Sequence, residues 1–159
     1  MKYQKIVADF GNKLASRIQE SGEESSIIKK LPKEGLIPKT EKFFTRKLGL
    51  DNVHFISEEN VLELNGETKG TAAEYQSGNN RFSIFVIEYP SPEKASMAFD
   101  MYSKYLDEKG EVTLTEKDSD GKTFKVENKF THIALKGQFL SGFWDVESEE
   151  LAKIALGFL

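Results

Sequence analysis

Gly70-Thr-Ala-Ala-Glu-Tyr75 and Arg81-Phe-Ser-Ile-Phe-Val-Ile-Glu-Tyr89 are the two stretches that decide the fold. The second is almost continuously apolar, β-branched and aromatic from Phe82 onward, which predicts a central strand buried on both faces. Between the two stretches, Gln76-Ser-Gly-Asn-Asn80 supplies residues that tolerate a positive φ. The sequence therefore predicts an antiparallel hairpin.

A helix is predicted directly after this hairpin. Ser91 is a good N-cap, Pro92 suits the first helical position, and Glu93 faces the positive end of the helix dipole. Apolar residues then recur at helical spacing and are expected to lie on the sheet: Ala95, Ala98, Phe99, Tyr102, Tyr105 and Leu106. Met97 points away from this stripe and Met101 lies at its flank. They are a candidate interaction face, since thioethers adapt to varied partners, or two ordinary exposed side chains.

Composition limits the architecture and the chemistry. The 159 residues and 38% hydrophobic content suit one domain with a proper core. The absence of cysteine excludes thiolate nucleophiles, iron–sulfur clusters and Cys-ligated zinc. A net charge of -4 argues against nucleic acid as a general partner. No stretch is apolar for long enough to be a transmembrane segment, and the chain as given carries no signal peptide.

The chain is predicted to consist of an N-terminal amphipathic helix with a polar loop, residues 1–26, and one domain, residues 27–159. One face of that helix carries Tyr3, Ile6, Val7, Phe10, Leu14 and Ile18. From Ile27 to Asp51, prolines and glycines predict an irregular loop that lays Phe43 and Phe44 on the core. Nucleic acid stacking on these two rings is the alternative, and the acidic total disfavours it.

The remaining chain supplies more strands and a second helix. Ser57 is predicted to cap a short helical turn that carries Val61, Leu62 and Leu64. Strands are expected over 110–115, 122–128, 131–136 and 138–146, followed by a helix with Ser148 as cap and an apolar stripe of Leu151, Ile154, Ala155 and Phe158. The prediction is an α+β fold: a mainly antiparallel sheet built from two hairpin-then-helix units, with helices mostly on one face, plus the N-terminal helix.

Three stretches together resemble the bacterial family labelled DUF6599, whose members have no assigned activity. They are Leu31-Pro-Lys-Glu-Gly-Leu-Ile-Pro-Lys-Thr-Glu-Lys-Phe-Phe44, Gly70-Thr-Ala-Ala-Glu-Tyr75 and Ile87-Glu-Tyr-Pro-Ser-Pro-Glu-Lys-Ala-Ser-Met-Ala-Phe99. The resemblance covers most of the chain from about Leu31 onward. It implies an extracytoplasmic protein, periplasmic or lipid-anchored, and it assigns no site residue. The residues themselves leave a cytoplasmic location open.

Glu116-Lys-Asp-Ser-Asp-Gly-Lys-Thr-Phe-Lys-Val-Glu127 matches the ligand order of a calcium-binding EF-hand loop. The carboxylates at loop positions one, three, five and twelve make up the candidate metal site: Glu116, Asp118, Asp120 and Glu127. The first position is Glu where the pattern has Asp, and the flanks are predicted strands where the motif needs helices. A plain turn at Asp120-Gly121 is the alternative. No other cofactor is predicted.

An apolar pocket between sheet and helices is the candidate ligand site. Trp144 is the only tryptophan, and Ser141-Gly142-Phe143 beside it allows close approach of a ligand or of another backbone. The residues predicted to line the pocket are Trp144, Tyr75, Tyr89 and Tyr102. The alternative is that the indole packs under the last helix.

No catalytic residue is predicted. His54 and His132 are far apart and fit no metal spacing, and the chain has no nucleophile elbow and no phosphate-binding glycine loop. The leading hypothesis is a non-enzymatic binding or accessory domain for a small molecule or a protein partner. The alternatives are an enzyme with an unrecognised acidic site and a domain stabilised by calcium in the 116–127 loop.

Overall fold

The apolar stretch from Phe82 to Tyr89 lies at the centre of the fold in the computed structural model, which describes residues 26–115 and 121–159. Within these residues the strands are β1 (Lys42–Phe44), β2 (Lys69–Ser77), β3 (Asn80–Glu88), β4 (Gly110–Thr115), β5 (Gly121–Val126), β6 (Lys129–Lys136) and β7 (Phe139–Val146). The helices are α1 (Lys47–Asp51), α2 (Pro92–Lys109) and α3 (Glu149–Leu156). The predicted α+β fold is confirmed. The predicted helix in residues 1–26 lies outside the described residues.

One antiparallel sheet joins the strands in the order β1-β2-β3-β7-β6-β5-β4. The predicted hairpin is present, because β2 pairs with β3 through a turn in which Gly78 has a φ of 59°. Helix α2 then carries the chain to the far edge, and β4 to β7 return as a meander until β7 pairs with β3. The hairpin-then-helix order recurs in β6, β7 and α3.

The two faces of the sheet pack against different helices. Face A is the face that carries Phe85, Ile87 and Trp144, and these side chains cluster with α2 and with Leu50 of α1. Face B carries Ile84, Val86 and Phe143, which cluster with Leu151, Ala152 and Ala155 of α3. Two of the three described α-helices therefore share face A, while α3 and the short 3-10 helix Ile28–Lys30 pack on face B. No described helix is long and apolar enough to cross a membrane.

Serine residues begin both longer helices, as predicted. The Ser91 hydroxyl accepts a hydrogen bond from the Lys94 amide at 3.3 Å, and the Ser148 hydroxyl accepts one from the Leu151 amide at 3.1 Å. In α2 the predicted stripe is buried except for the half-buried Tyr105. In α3 the stripe differs from the prediction, because Ile154 is exposed and Ala152 is buried.

Residues 52–68 form an irregular segment, so the predicted helical turn after Ser57 is wrong. The side chain of Asn60 accepts a hydrogen bond from the Leu64 amide at 3.0 Å and donates one to the Leu64 carbonyl at 2.8 Å. An asparagine that bonds nearby backbone groups competes with helical hydrogen bonding. The apolar residues predicted for that turn are nevertheless buried in the face A core: Val61, Leu62 and Leu64.

The segment predicted as an irregular loop contains β1 and α1. In β1, Phe44 enters the face A core, while Phe43 points to the other side and is 49% exposed. The alternation of side chains along a strand separates these neighbours. The expectation that both rings lie on the core is therefore wrong for Phe43.

Candidate functional site

A cleft of about 480 Å³ opens at the end of the sheet where β3 begins and β7 ends. Its lining comes from β1, β2, β3 and β7, together with the irregular segment that carries Val53 and His54. Trp144 lines one part of the cleft but is only 4% exposed, and Ser83 lies directly opposite it in the β3–β7 pairing. The cleft is thus lined mainly by polar and charged residues of four neighbouring strands, with the buried indole at one side.

Three rings are stacked at this cleft. Trp144 lies between Phe85, at a centroid distance of 4.1 Å and an angle of 10°, and His54, at 4.7 Å and 6°. Gly142 makes room for the stack, because a Cβ at this position would overlap the backbone carbonyl of β6 and come within 3.0 Å of the Phe85 ring. Contacts on both faces of the indole fix its orientation. Close backbone approach at Gly142, one of the sequence expectations, is confirmed.

A β-bulge follows Trp144. The register between β6 and β7 shifts so that Phe130 pairs with Val146 while His132 pairs with Phe143. Asp145 is the extra residue and has a φ of 51°, a left-handed conformation that Asp adopts more readily than most residues. Bulges redirect side chains and are frequent beside functional sites. Here the bulge places the Asp145 carboxylate beside the ring stack.

His54 and Asp145 are neighbours without a full ion pair. The distance from His54 Nε2 to Asp145 Oδ2 is 3.7 Å, which is too long for a hydrogen bond. Burial lowers the pKa of His54, and the positive charge of Lys129 lowers it further, against the opposing effect of Asp145. His54 is therefore mainly neutral at pH 7, and the negative charge of Asp145 is left without a compensating cation at this contact.

Charged side chains of β1, β2 and β3 line the opposite part of the cleft. Glu74 is directly opposite Ser83, so it shares face A with Trp144. Lys42 is opposite Ala72, and Arg81 is opposite Gln76, so each is a diagonal neighbour of Glu74. Among the described residues, no ion pair within 4.0 Å joins Lys42, Glu74 or Arg81 to any partner. These charges are accessible to a ligand.

The predicted pocket residues are distributed over both faces of the sheet. Trp144 lines the cleft, whereas Tyr89 and Tyr102 are buried in the face A core. Burial, and then the charge of Asp145, raise the pKa of Tyr102. Tyr75 lies on face B, where its hydroxyl donates to the Pro32 carbonyl at 2.8 Å.

The predicted calcium ligands Glu116, Asp118 and Asp120 lie outside the described residues. Glu127 lies in the turn between β5 and β6 with a φ of 56°. Across residues 26–115 and 121–159, no three His, Asp or Glu side chains are close enough together to hold a metal ion. The calcium site stays a prediction.

The other predicted residues lie away from the cleft. His132 is buried on face B, where its Nδ1 is 2.8 Å from the Thr123 hydroxyl and its ring stacks on Phe143. Met97 and Met101 are 52% and 43% exposed on α2, and their role as an interaction face stays a prediction.

Sequence reasoning missed the charged residues of the cleft and Asp145. One local signal was present: Asp follows Trp144 inside an otherwise apolar strand, and Asp is rare in regular strands but suits a bulge. No protein-family model, curated protein sequence or solved structure matches the chain. The resemblance to DUF6599 therefore stays a prediction.

Proposed function

We propose that this protein is a binding domain that takes a small polar molecule into the cleft beside Trp144. The observation that carries the proposal is the cleft itself. Its volume of about 480 Å³ lies within the range of roughly 300 to 1,000 Å³ typical of small-molecule sites. The lining is mainly polar and charged, which suits a polar ligand better than an apolar one. The resemblance to DUF6599 supports an accessory role outside the cytoplasm.

The rigidity of the ring stack at the side of the cleft supports binding. Phe85 and His54 hold the Trp144 indole from both sides, and Trp144 is only 4% exposed. A surface that is already ordered in the free protein loses little side-chain entropy when a ligand arrives. The main-chain pairing of four strands fixes the backbone positions of the charged residues around it.

The test is a thermal-shift screen of the purified protein against metabolites, followed by titration of Trp144 fluorescence. Trp144 is the only tryptophan, so its emission reports this cleft alone. A ligand at one hundred times its dissociation constant stabilises by about 2.7 kcal/mol, which raises Tm by about 5 to 10 °C for a chain of this size.

Two variants make the screen specific. Arg81→Ala removes an exposed charge from the cleft, whereas Lys94→Ala removes an exposed charge from α2 outside it. We expect a shift that Arg81→Ala reduces and Lys94→Ala retains. No shift with any compound, or equal loss in both variants, would overturn the proposal.

An enzyme that uses acid–base chemistry is the second candidate. The observation that favours it is that the carboxylates of Glu74, Asp145 and Glu147 line the same cleft as His54. A neutral imidazole near pH 7 has the protonation state of a general base. Turnover of a bound compound by the parent, lost in His54→Gln without loss of binding, would establish this role in place of simple binding.

A further inference from the structure

The charges of the cleft alternate in sign from one strand to the next. Across the sheet, β1 carries Lys42, β2 carries Glu74, β3 carries Arg81, and the end of β7 carries Asp145 and Glu147. Neighbouring strands are about 4.8 Å apart. Positive and negative groups therefore lie on neighbouring strands around the cleft, and neither sign occupies the cleft alone.

We propose that the ligand of this cleft is a free α-amino acid, whose ammonium and carboxylate groups are attached to one carbon atom. This inference rests on the proposed binding function and names the ligand class. Arg81 is placed to bind the carboxylate, because a guanidinium forms paired hydrogen bonds with a carboxylate. Asp145 is placed to bind the ammonium group from the neighbouring strand.

The state of the free protein supports both assignments. Arg81 has no described partner within ion-pair distance, so it does not have to give up a bond when the carboxylate arrives. Asp145 faces a histidine that burial keeps mainly neutral, so its charge is available to an ammonium group. The left-handed backbone at Asp145 holds the carboxylate in this direction.

Ligands with a single charge suit the cleft less well. A simple carboxylate meets Glu74, Asp145 and Glu147, and a simple amine meets Lys42 and Arg81. Like charges that face each other oppose binding, which is how an alternating surface rejects ligands with one charge.

The experiment is calorimetric titration of the full chain with the twenty amino acids. For each amino acid that binds, the matched amine without a carboxylate, the matched acid without an amine, and a dipeptide are titrated next. For phenylalanine these are phenethylamine, 3-phenylpropionate and Phe-Phe. We expect the amino acid to bind about tenfold or more tightly than either analogue, since each lacks one charge-assisted contact.

Two near-isosteric variants assign the contacts. Arg81→Gln is expected to weaken the amino acid by about tenfold or more and not to weaken the amine analogue. Asp145→Asn is expected to weaken the amino acid and the amine analogue and not to weaken the acid analogue, since Asn also tolerates a left-handed backbone. Lys94→Gln, outside the cleft, is the matched control and is expected to bind like the parent.

The outcomes separate this inference from the proposed function. An analogue with one charge, or a dipeptide, that binds as tightly as the amino acid overturns the amino-acid inference and leaves the binding function intact. Equal effects of Arg81→Gln on all three ligands also overturn it. Absence of binding by every compound in this set and in the metabolite screen overturns both.

Discussion

Asp145 is expected to favour binding through its carboxylate, while its left-handed backbone lowers the stability of the fold. It has a φ of 51° inside β7, where a side chain with a Cβ is strained. Asp145→Gly and Asp145→Ala both remove the carboxylate, and they differ only in the Cβ atom. The left-handed conformation costs an L-residue about 1 to 2 kcal/mol. Glycine loses about 0.5 to 1 kcal/mol more than alanine in conformational entropy on folding.

The cost of the left-handed conformation for alanine exceeds the extra conformational entropy that glycine loses on folding. We therefore expect Asp145→Gly to be more stable than Asp145→Ala by about 0.5 to 1 kcal/mol. For a chain of this size the corresponding difference in Tm is about 1 to 4 °C. Both variants are expected to lose amino-acid affinity equally, because both lack the carboxylate. The glycine variant therefore combines the higher stability of the two with impaired binding.

The assay is urea denaturation at pH 7 for both variants and the parent, together with calorimetric titration. Glu127 is the matched control, because it also has a positive φ, 56°, and does not line the cleft. Glu127→Gly is expected to be more stable than Glu127→Ala and to bind like the parent. If Asp145→Ala is as stable as Asp145→Gly while the Glu127 pair differs, the strain assigned to Asp145 is refuted.

Three further predictions concern the core and the pH dependence of stability. Tyr89→Phe leaves the Leu62 carbonyl without its 2.7 Å buried hydrogen bond, and urea denaturation should show a loss of about 1 to 2 kcal/mol. Gly142→Ala forces a Cβ into the backbone of β6, so we expect loss of the folded protein by circular dichroism, whereas Gly137→Ala has space and costs about 1 kcal/mol for its positive φ of 58°. Burial lowers the pKa of His54 below its ordinary value of 6.5, so its contribution to stability is present above pH 6.5 and is lost as the pH falls through the folded pKa. His54→Gln should therefore flatten the decline of Tm at acidic pH.

Each of these predictions has a contrary result. Tyr105→Phe is the comparison for Tyr89→Phe, because its bond to the Ile56 carbonyl is only partly buried and water can replace it. Equal losses in the two variants would contradict the role of burial. A folded Gly142→Ala protein with the Tm of Gly137→Ala would show that β6 and β7 can separate without cost. Parallel pH profiles for His54→Gln and the parent would mean that His54 has the same pKa in the folded and unfolded chain.

The elements that could be predicted from the sequence are those with local signals. The central strand β3 is a continuous apolar stretch. Ser91 and Ser148 mark helix starts, because each hydroxyl accepts a hydrogen bond from a backbone amide in the first turn that follows. β1 was missed because it has only three residues, and its pairing partners at positions 70–72 lie 26 or more residues away. A short edge strand forms because it pairs with a neighbouring strand, and its own sequence pattern does not predict it.

The cleft could not be predicted because it depends on register. Lys42, Glu74 and Arg81 look like scattered surface charges in the sequence, and only the pairing of β1 with β2 and of β2 with β3 brings them to one face. A shift of one residue in either pairing would send the charge to the other side of the sheet. His54 joins them from a segment without regular structure, whose position is fixed by tertiary contacts with Trp144.

The bulge at Asp145 links the site to the architecture. After β3 the chain continues with Tyr89 in the face A core, and α2 packs on that same face. In β7, Trp144 also belongs to face A, but the extra residue turns Val146 to face B, and α3 follows it there. A regular strand would keep Val146 on the side of Trp144, because alternate residues share a face. The residue that places a carboxylate beside the ring stack is therefore also the one that directs the last helix to the opposite face. For this reason Asp145→Gly, which keeps the left-handed backbone, is the substitution that tests the carboxylate while preserving the path of the chain.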